Sequence, residues 1–292
     1  TLRLTNHHGL MIAGEAALSN WDAGMDMYIY GKLGNLTMTK EGINVLMTNL
    51  TGKVPPILQR LDYIRFNGEA AGYLHDLTLT GLFHTGAGMV KTDVMMSIDE
   101  QSMSRTYSGS VASADLDLGK LLNQEKKFGK VDFNVELKGF NYKNRYPESY
   151  IKGIISSFEY SQYQYENIML DGVYKDGGFN GRLSMDDANG SVQIDGNFNV
   201  AKTIPDFNLK ASVKNLRSHD LHLSDKYENA SISLGLTADF TGKSIDDMNG
   251  RISLDSLQLN APDERGCFLD NLTITAGQVS GEKELRINSS FM

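Results

Sequence analysis

Residues 131–140 read VDFNVELKGF, and their order decides the fold class. Successive side chains of an extended chain point to opposite faces, so Val131, Phe133, Val135 and Leu137 share one side and Asp132, Asn134, Glu136 and Lys138 the other. A helix would scatter the same residues around its circumference. The beat recurs in 167–174 (NIMLDGVY), 179–185 (FNGRLSM), 191–200 (SVQIDGNFNV), 207–213 (FNLKASV), 231–240 (SISLGLTADF) and 251–259 (RISLDSLQL). Only 39–50 (TKEGINVLMTNL) and 117–125 (DLGKLLNQE) read as helices, and Pro55-Pro56 stops the first. The chain therefore reads as all-β: long antiparallel strands, each with an apolar and a polar face, and one or two short helices.

A second recurrence joins glycine to aspartate. Stretches 66–81 (FNGEAAGYLHDLTLTG) and 236–250 (LTADFTGKSIDDMNG) both read as strand, turn, strand. Gly139 opens a related pair, interrupted by an insertion at 141–149. The spacing is irregular, which favours degenerate modules of one continuous sheet over a propeller or a tight solenoid. We read 1–292 as one such sheet, divisible into sub-modules 1–125 and 126–292.

Fully burying one large apolar side chain is favourable by roughly 1.5–3 kcal/mol. A whole strand face left wet forfeits on the order of tens of kcal/mol, against a domain stability of roughly 5–15 kcal/mol. Two short helices cannot roof so much sheet. It folds over on itself as a sandwich, barrel or gutter, or it meets an apolar ligand. A sandwich core is the commoner use of such alternation. Two features favour a groove for acyl chains: ten-residue strands run about 33 Å, and the inward positions mix Phe, Ile, Leu, Met and Val with few polar anchors.

Composition narrows the function classes. Twenty-eight basic residues against 36 acidic give a formal charge of −8, the wrong sign for a phosphate-binding stripe, so no nucleic-acid partner is expected. The cluster Lys126, Lys127, Lys130 reads as a solvated loop. A single cysteine, Cys267, allows no intrachain disulfide and no CxxC site. No run approaches a spanning helix, and the chain reads as an internal stretch of something longer.

Candidate sites are weak. His219-Asp220-Leu221-His222 reads as a loop or strand end; even on a strand Asp220 and His222 would share one face and His219 the other, and His7-His8 diverge in the same way. Asp186-Asp187-Ala188-Asn189-Gly190 and Asp246-Asp247-Met248-Asn249-Gly250 lack the alternating carboxylates and distant glutamate of a calcium loop and read as turns. No nucleophile motif is present. The chain reads as a non-enzyme with no metal and no cofactor.

The order of motifs nevertheless resembles a known family. Segments ADLDLGKLL (from Ala114), YENIMLDG (from Tyr165) and GRLSMDD (from Gly181), within a pattern running from about 10 to 259, are similar to the TamB branch of the AsmA-like superfamily, particularly the very long TamB-like proteins of Bacteroidota. The resemblance implies a taco-shaped β-gutter, an incomplete barrel with an apolar inside, that crosses the periplasm within an inner-membrane-anchored protein. It also implies phospholipid movement toward the outer membrane and, for the TamB branch, outer-membrane protein assembly with a barrel partner. On that reading Val131, Phe133, Val135, Leu137, Ile168, Leu170, Leu183, Val192, Ile194, Leu209, Val213, Leu234 and Leu236 line a channel for phospholipid acyl chains. The rivals are a scaffold that holds unfolded outer-membrane strands and a surface β-sandwich adhesin.

Overall fold

Alternation becomes pairing in the computed structural model, which describes residues 2–5, 9–20, 22–99, 101–102, 104–141, 148–226, 228–244, 246–261, 266–279 and 282–290. The fold is all-β, its strands antiparallel and not closed into a barrel, with only short helices. Two compact units emerge: Thr1–Arg145 with Ile155–Gln164, and Tyr146–Ile154 with Tyr165–Met292. Residues 126–141 fall in the first unit.

The first unit carries β1 (Leu2–Thr5), β2 (Leu10–Ser19), β3 (Tyr28–Thr39), β4 (Tyr63–Tyr73), β5 (Asp76–Thr85), β6 (Gly88–Asp99), β7 (Ser104–Asp117) and β8 (Phe128–Asn141). Each pairs with the next. Register sets the alternating residues in rows across the strands. One row is Ile12, Leu36, Phe66, Phe83, Val90, Ser113 and Phe133, and the next is Gly14, Leu33, Gly68, Gly81, Thr92, Val111 and Val135. The glycines have a steric job: a Cβ at Gly68 would stand 2.6 Å from the Phe66 ring and one at Gly81 2.5 Å from it.

Helices roof one end of that face. α1 (Lys40–Thr51) begins where the Thr39 side chain accepts the Gly42 N–H at 3.3 Å and ends at left-handed Gly52. α3 (Leu118–Leu122) begins at Asp117, whose carboxylate accepts the Lys120 N–H at 2.8 Å. Both occupy the stretches that read as helical. Between them α2 (Pro56–Gln59) was not foreseen. The Pro55-Pro56 pair that halts α1 also starts α2, since proline fits the first turn, where no N–H is needed. Ile43 and Leu121 meet Leu61, Ile64, Leu116 and Val131 in a buried cluster, with Phe83, Val90 and Phe133 packed against it. Lys120 clamps this roof, its ammonium 2.6 Å from Asp62 and donating to the Gly86 carbonyl at 3.0 Å.

β9 (Glu148–Tyr160) and β10 (Tyr163–Lys175) straddle the division. The insertion at 141–149 falls mostly outside the described residues. The second unit continues with β11 (Gly178–Asp187), β12 (Gly190–Asn199), β13 (Asp206–Leu216), β14 (Ser231–Thr241), β15 (Asn249–Asn260), β16 (Cys267–Val279) and β17 (Glu282–Ser290). β10 to β17 again pair in succession. No helix is present among its described residues. Instead the connection between β13 and β14 folds back at one end: Leu221 is wholly buried, and the Tyr165 hydroxyl donates to its carbonyl at 2.7 Å.

Bulges recur in both units. The register shifts between Ser113 and Leu116 around left-handed Asp115, and between Val213 and Leu216 around left-handed Asn215. The neighbouring strand takes up each displaced N–H: Asp115 donates to Asp132 at 2.5 Å, and Asn215 to the Ser233 hydroxyl at 2.9 Å. A bulge satisfied in this way bends its strand without leaving an orphan amide.

Candidate functional site

The candidate site is the apolar strand face. In the second unit the register builds it in rows: Leu170, Leu183, Ile194, Ala211, Leu236, Leu254 and Leu272 stand side by side across seven successive strands. Ile168, Met185, Val192, Val213 and Leu234 form the row beside it. On the far side come Gly172, Gly181, Gly196 and Leu209, then Phe179, Phe198, Phe207 and Phe240. Phe207 and Phe240 stack at 4.7 Å between ring centroids, and Phe179 and Phe198 stand 5.9 Å apart.

Ile168, Leu170, Leu183, Val192, Ile194, Leu209, Val213, Leu234 and Leu236 all lie on this face, and all are half-buried. Flanking strands cover their flanks, but no helix lies over them among the described residues. The fully buried apolar side chains of this unit sit elsewhere or are small, such as Leu221, Met248, Ala238 and Ala276.

The four candidates on β8 divide. Val131 belongs to the buried cluster beneath α1 and α3, and Phe133 packs against it. Val135, 9 % exposed, and half-buried Leu137 lie one and two rows further along the face. Here the row Ala16, Gly31, Ala70, Leu79, Val94, Gly109 and Leu137 resembles the uncovered rows of the second unit. The one discordant note is Thr92, whose inward hydroxyl is buried without a hydrogen-bond partner.

The opposite face is polar. Arg182 pairs with Asp195 at 3.0 Å, and Asp171 accepts from the Tyr150 hydroxyl at 2.8 Å with Lys152 at 3.3 Å. The Tyr150 hydrogen bond, ahead of Lys152, holds the Asp171 carboxyl below its usual range. Exposed pairs of this kind add little stability. Their placement marks the wet side.

No group of three or more His, Cys, Asp or Glu side chains among the described residues could hold a metal ion. His219, Asp220 and His222 sit in the connection after β13, not on a strand. There His219 lies 3.7 Å from Asp220 and 3.8 Å from Glu228. His7-His8 lies outside the described residues. Asp187 accepts the Asn189 N–H at 2.9 Å inside the β11–β12 hairpin. Asp247 accepts from the Lys243 N–H at 2.9 Å and the Ser244 N–H at 2.6 Å. Both carboxylates are spent on turns. No helix among the described residues is long and apolar enough to cross a membrane.

Sequence reading missed the phenylalanine row and the extension of the leucine row onto β15 and β16. The phenylalanines were visible one strand at a time, but only register shows that they stand together. Compared with protein-family models, with curated proteins and with solved structures, the chain matches none.

Proposed function

We propose that the apolar face solvates phospholipid acyl chains, and that the chain is a lipid-conducting segment of an inner-membrane-anchored, periplasmic TamB-like protein. The observation that carries this reading is the leucine–isoleucine row of the second unit: aliphatic side chains seven strands wide, interrupted only by Ala211, half-buried, with no helix over them among the described residues. Ordinary domains bury such a face against a second layer. A lining without fixed polar groups suits a flexible hydrocarbon better than a ligand that must be oriented. Head groups would stay in water while the chains lie along the rows. The motif resemblance in 114–187 supplies the envelope setting and the barrel partner, and no chemistry is asked of the chain.

Substituting Ile194 by Asp in the full-length protein tests the reading, because a carboxylate on the row would put a costly charge in the hydrocarbon path. Lipid transfer is expected to fail while the β-sheet circular-dichroism spectrum persists. Transfer at the parent rate by a folded variant overturns it. A second reading, a scaffold holding unfolded strands of another protein by strand addition, takes support from β17, where Leu285 and Ile287 stand 43 % and 60 % exposed. Capture of peptide instead of lipid on the same face would favour it.

A further inference from the structure

At the phenylalanine end of the second unit the apolar face forms an open-sided pocket of about 540 Å³. Phe207, Phe240, Met248 and Ile252 form its apolar walls, with Val200 at the edge and Lys243 and Ser244 also lining it. The walls are built firmly. Met248 is 2 % exposed, the two rings stack at 4.7 Å, and the Gly242 N–H donates to the Pro205 carbonyl at 2.9 Å, tying together the segments on either side.

The backbone at Lys243 is held by its own turn. Asp247 accepts from the N–H groups of Lys243 and Ser244 and from the Ser244 hydroxyl at 2.9 Å. Those bonds, the Lys243 N–H first, pull its carboxyl down to about 2. The nearby Asp206 is engaged by Lys202 at 2.8 Å. The Lys243 ammonium has no carboxylate partner among the described residues. A lysine with no carboxylate partner among the described residues therefore lines an apolar pocket, on a chain whose formal charge is −8.

We propose that this pocket binds a single-chain anionic amphiphile, a long-chain fatty acid, with its tail on Phe207, Phe240 and Ile252 and its carboxylate at the Lys243 ammonium. The proposal rests on the acyl-chain reading of the face and adds to it a discrete site with a charge requirement. Volume favours one chain over two: a methylene occupies roughly the ~30 Å³ of a water molecule, so about eighteen fit. Chemistry favours a small anion, because one exposed lysine and one serine hydroxyl already spent on Asp247 offer little to a large polar head group.

Palmitate and hexadecanol binding to the chain, measured by calorimetry, tests this. Palmitate should bind tighter than hexadecanol, and Lys243→Gln should weaken palmitate roughly 1.5- to fivefold, as for an exposed ion pair, and leave hexadecanol unchanged. Phe240→Ala should weaken both. Equal binding of acid and alcohol, or palmitate binding indifferent to Lys243→Gln, overturns the proposal. Uptake of phosphatidylcholine from neutral vesicles separates the two readings. If uptake is absent and palmitate still depends on Lys243, the pocket stands and the wider conduit falls; if uptake is present and palmitate ignores Lys243, the pocket falls and the conduit stands.

Discussion

The two units use the same strand pattern and finish it differently. In the first, α1, α2 and α3 cover one end of the apolar face, and Ile43, Leu61, Ile64 and Val131 become a conventional core, each at most 7 % exposed. In the second, a folded connection buries Leu221 at one end, and the leucine–isoleucine rows beyond it stay half-buried. Roofed rows hold a unit together; on the proposed reading, the unroofed rows are the ones that meet a ligand.

The largest expected effects follow from the roofed end. Ile43→Ala removes a side chain that is 1 % exposed, and a buried Ile-to-Ala change costs about 2–5 kcal/mol. Urea denaturation followed by intrinsic fluorescence should show it, with amide exchange accelerated in 28–133 and little changed in 165–279. Leu221→Ala should do the converse by a similar amount, since Leu221 is fully enclosed. Exchange that rises equally in both units after either change would dissolve the distinction between them.

Ile194→Ala sharpens the contrast. Ile194 is half-buried, so the same truncation should cost about 1–2 kcal/mol, below the range for a closed core. A loss as large as that of Ile43→Ala would mean that something covers the row.

The strands were legible because each holds its alternation for whole lengths, as 131–140 and 191–200 show. Both foreseen helices carry their capping residues, Thr39 and Asp117. What remained hidden depends on register and on long-range packing. Val131 and Ile194 occupy equivalent places in equivalent patterns, yet one is roofed and the other is not. Nothing local records whether a helix from 40–51 returns over a given row. His219, Asp220 and His222, read as a loop or strand end, lie in the connection after β13. The bulge at Asn215 ends that strand's order and lets Leu221 turn inward.

Acid supplies a smaller, local effect. The Asp247 carboxyl titrates near 2, below the ~3.9 of an unfolded aspartate. Its contribution is therefore present above about pH 4 and is lost as pH falls through about 2. NMR should show the Asp247 carboxyl titrating near 2, with the Lys243 and Ser244 amides losing protection over the same interval. Asp247→Asn should weaken that protection at neutral pH. The smallest effect belongs to the polar face: Arg182→Ala breaks an exposed pair with Asp195 and should change stability by no more than about 1 kcal/mol.

The central claim is that an unroofed row meets lipid and a roofed one does not. A photoreactive amino acid placed at Ile194 and, separately, at Val131 in the full-length protein, followed by irradiation in cells and mass spectrometry of whatever is trapped, tests it most directly. We predict phospholipid adducts at Ile194 and none at Val131. Adducts at both positions, at neither, or peptide alone at Ile194 would contradict the account.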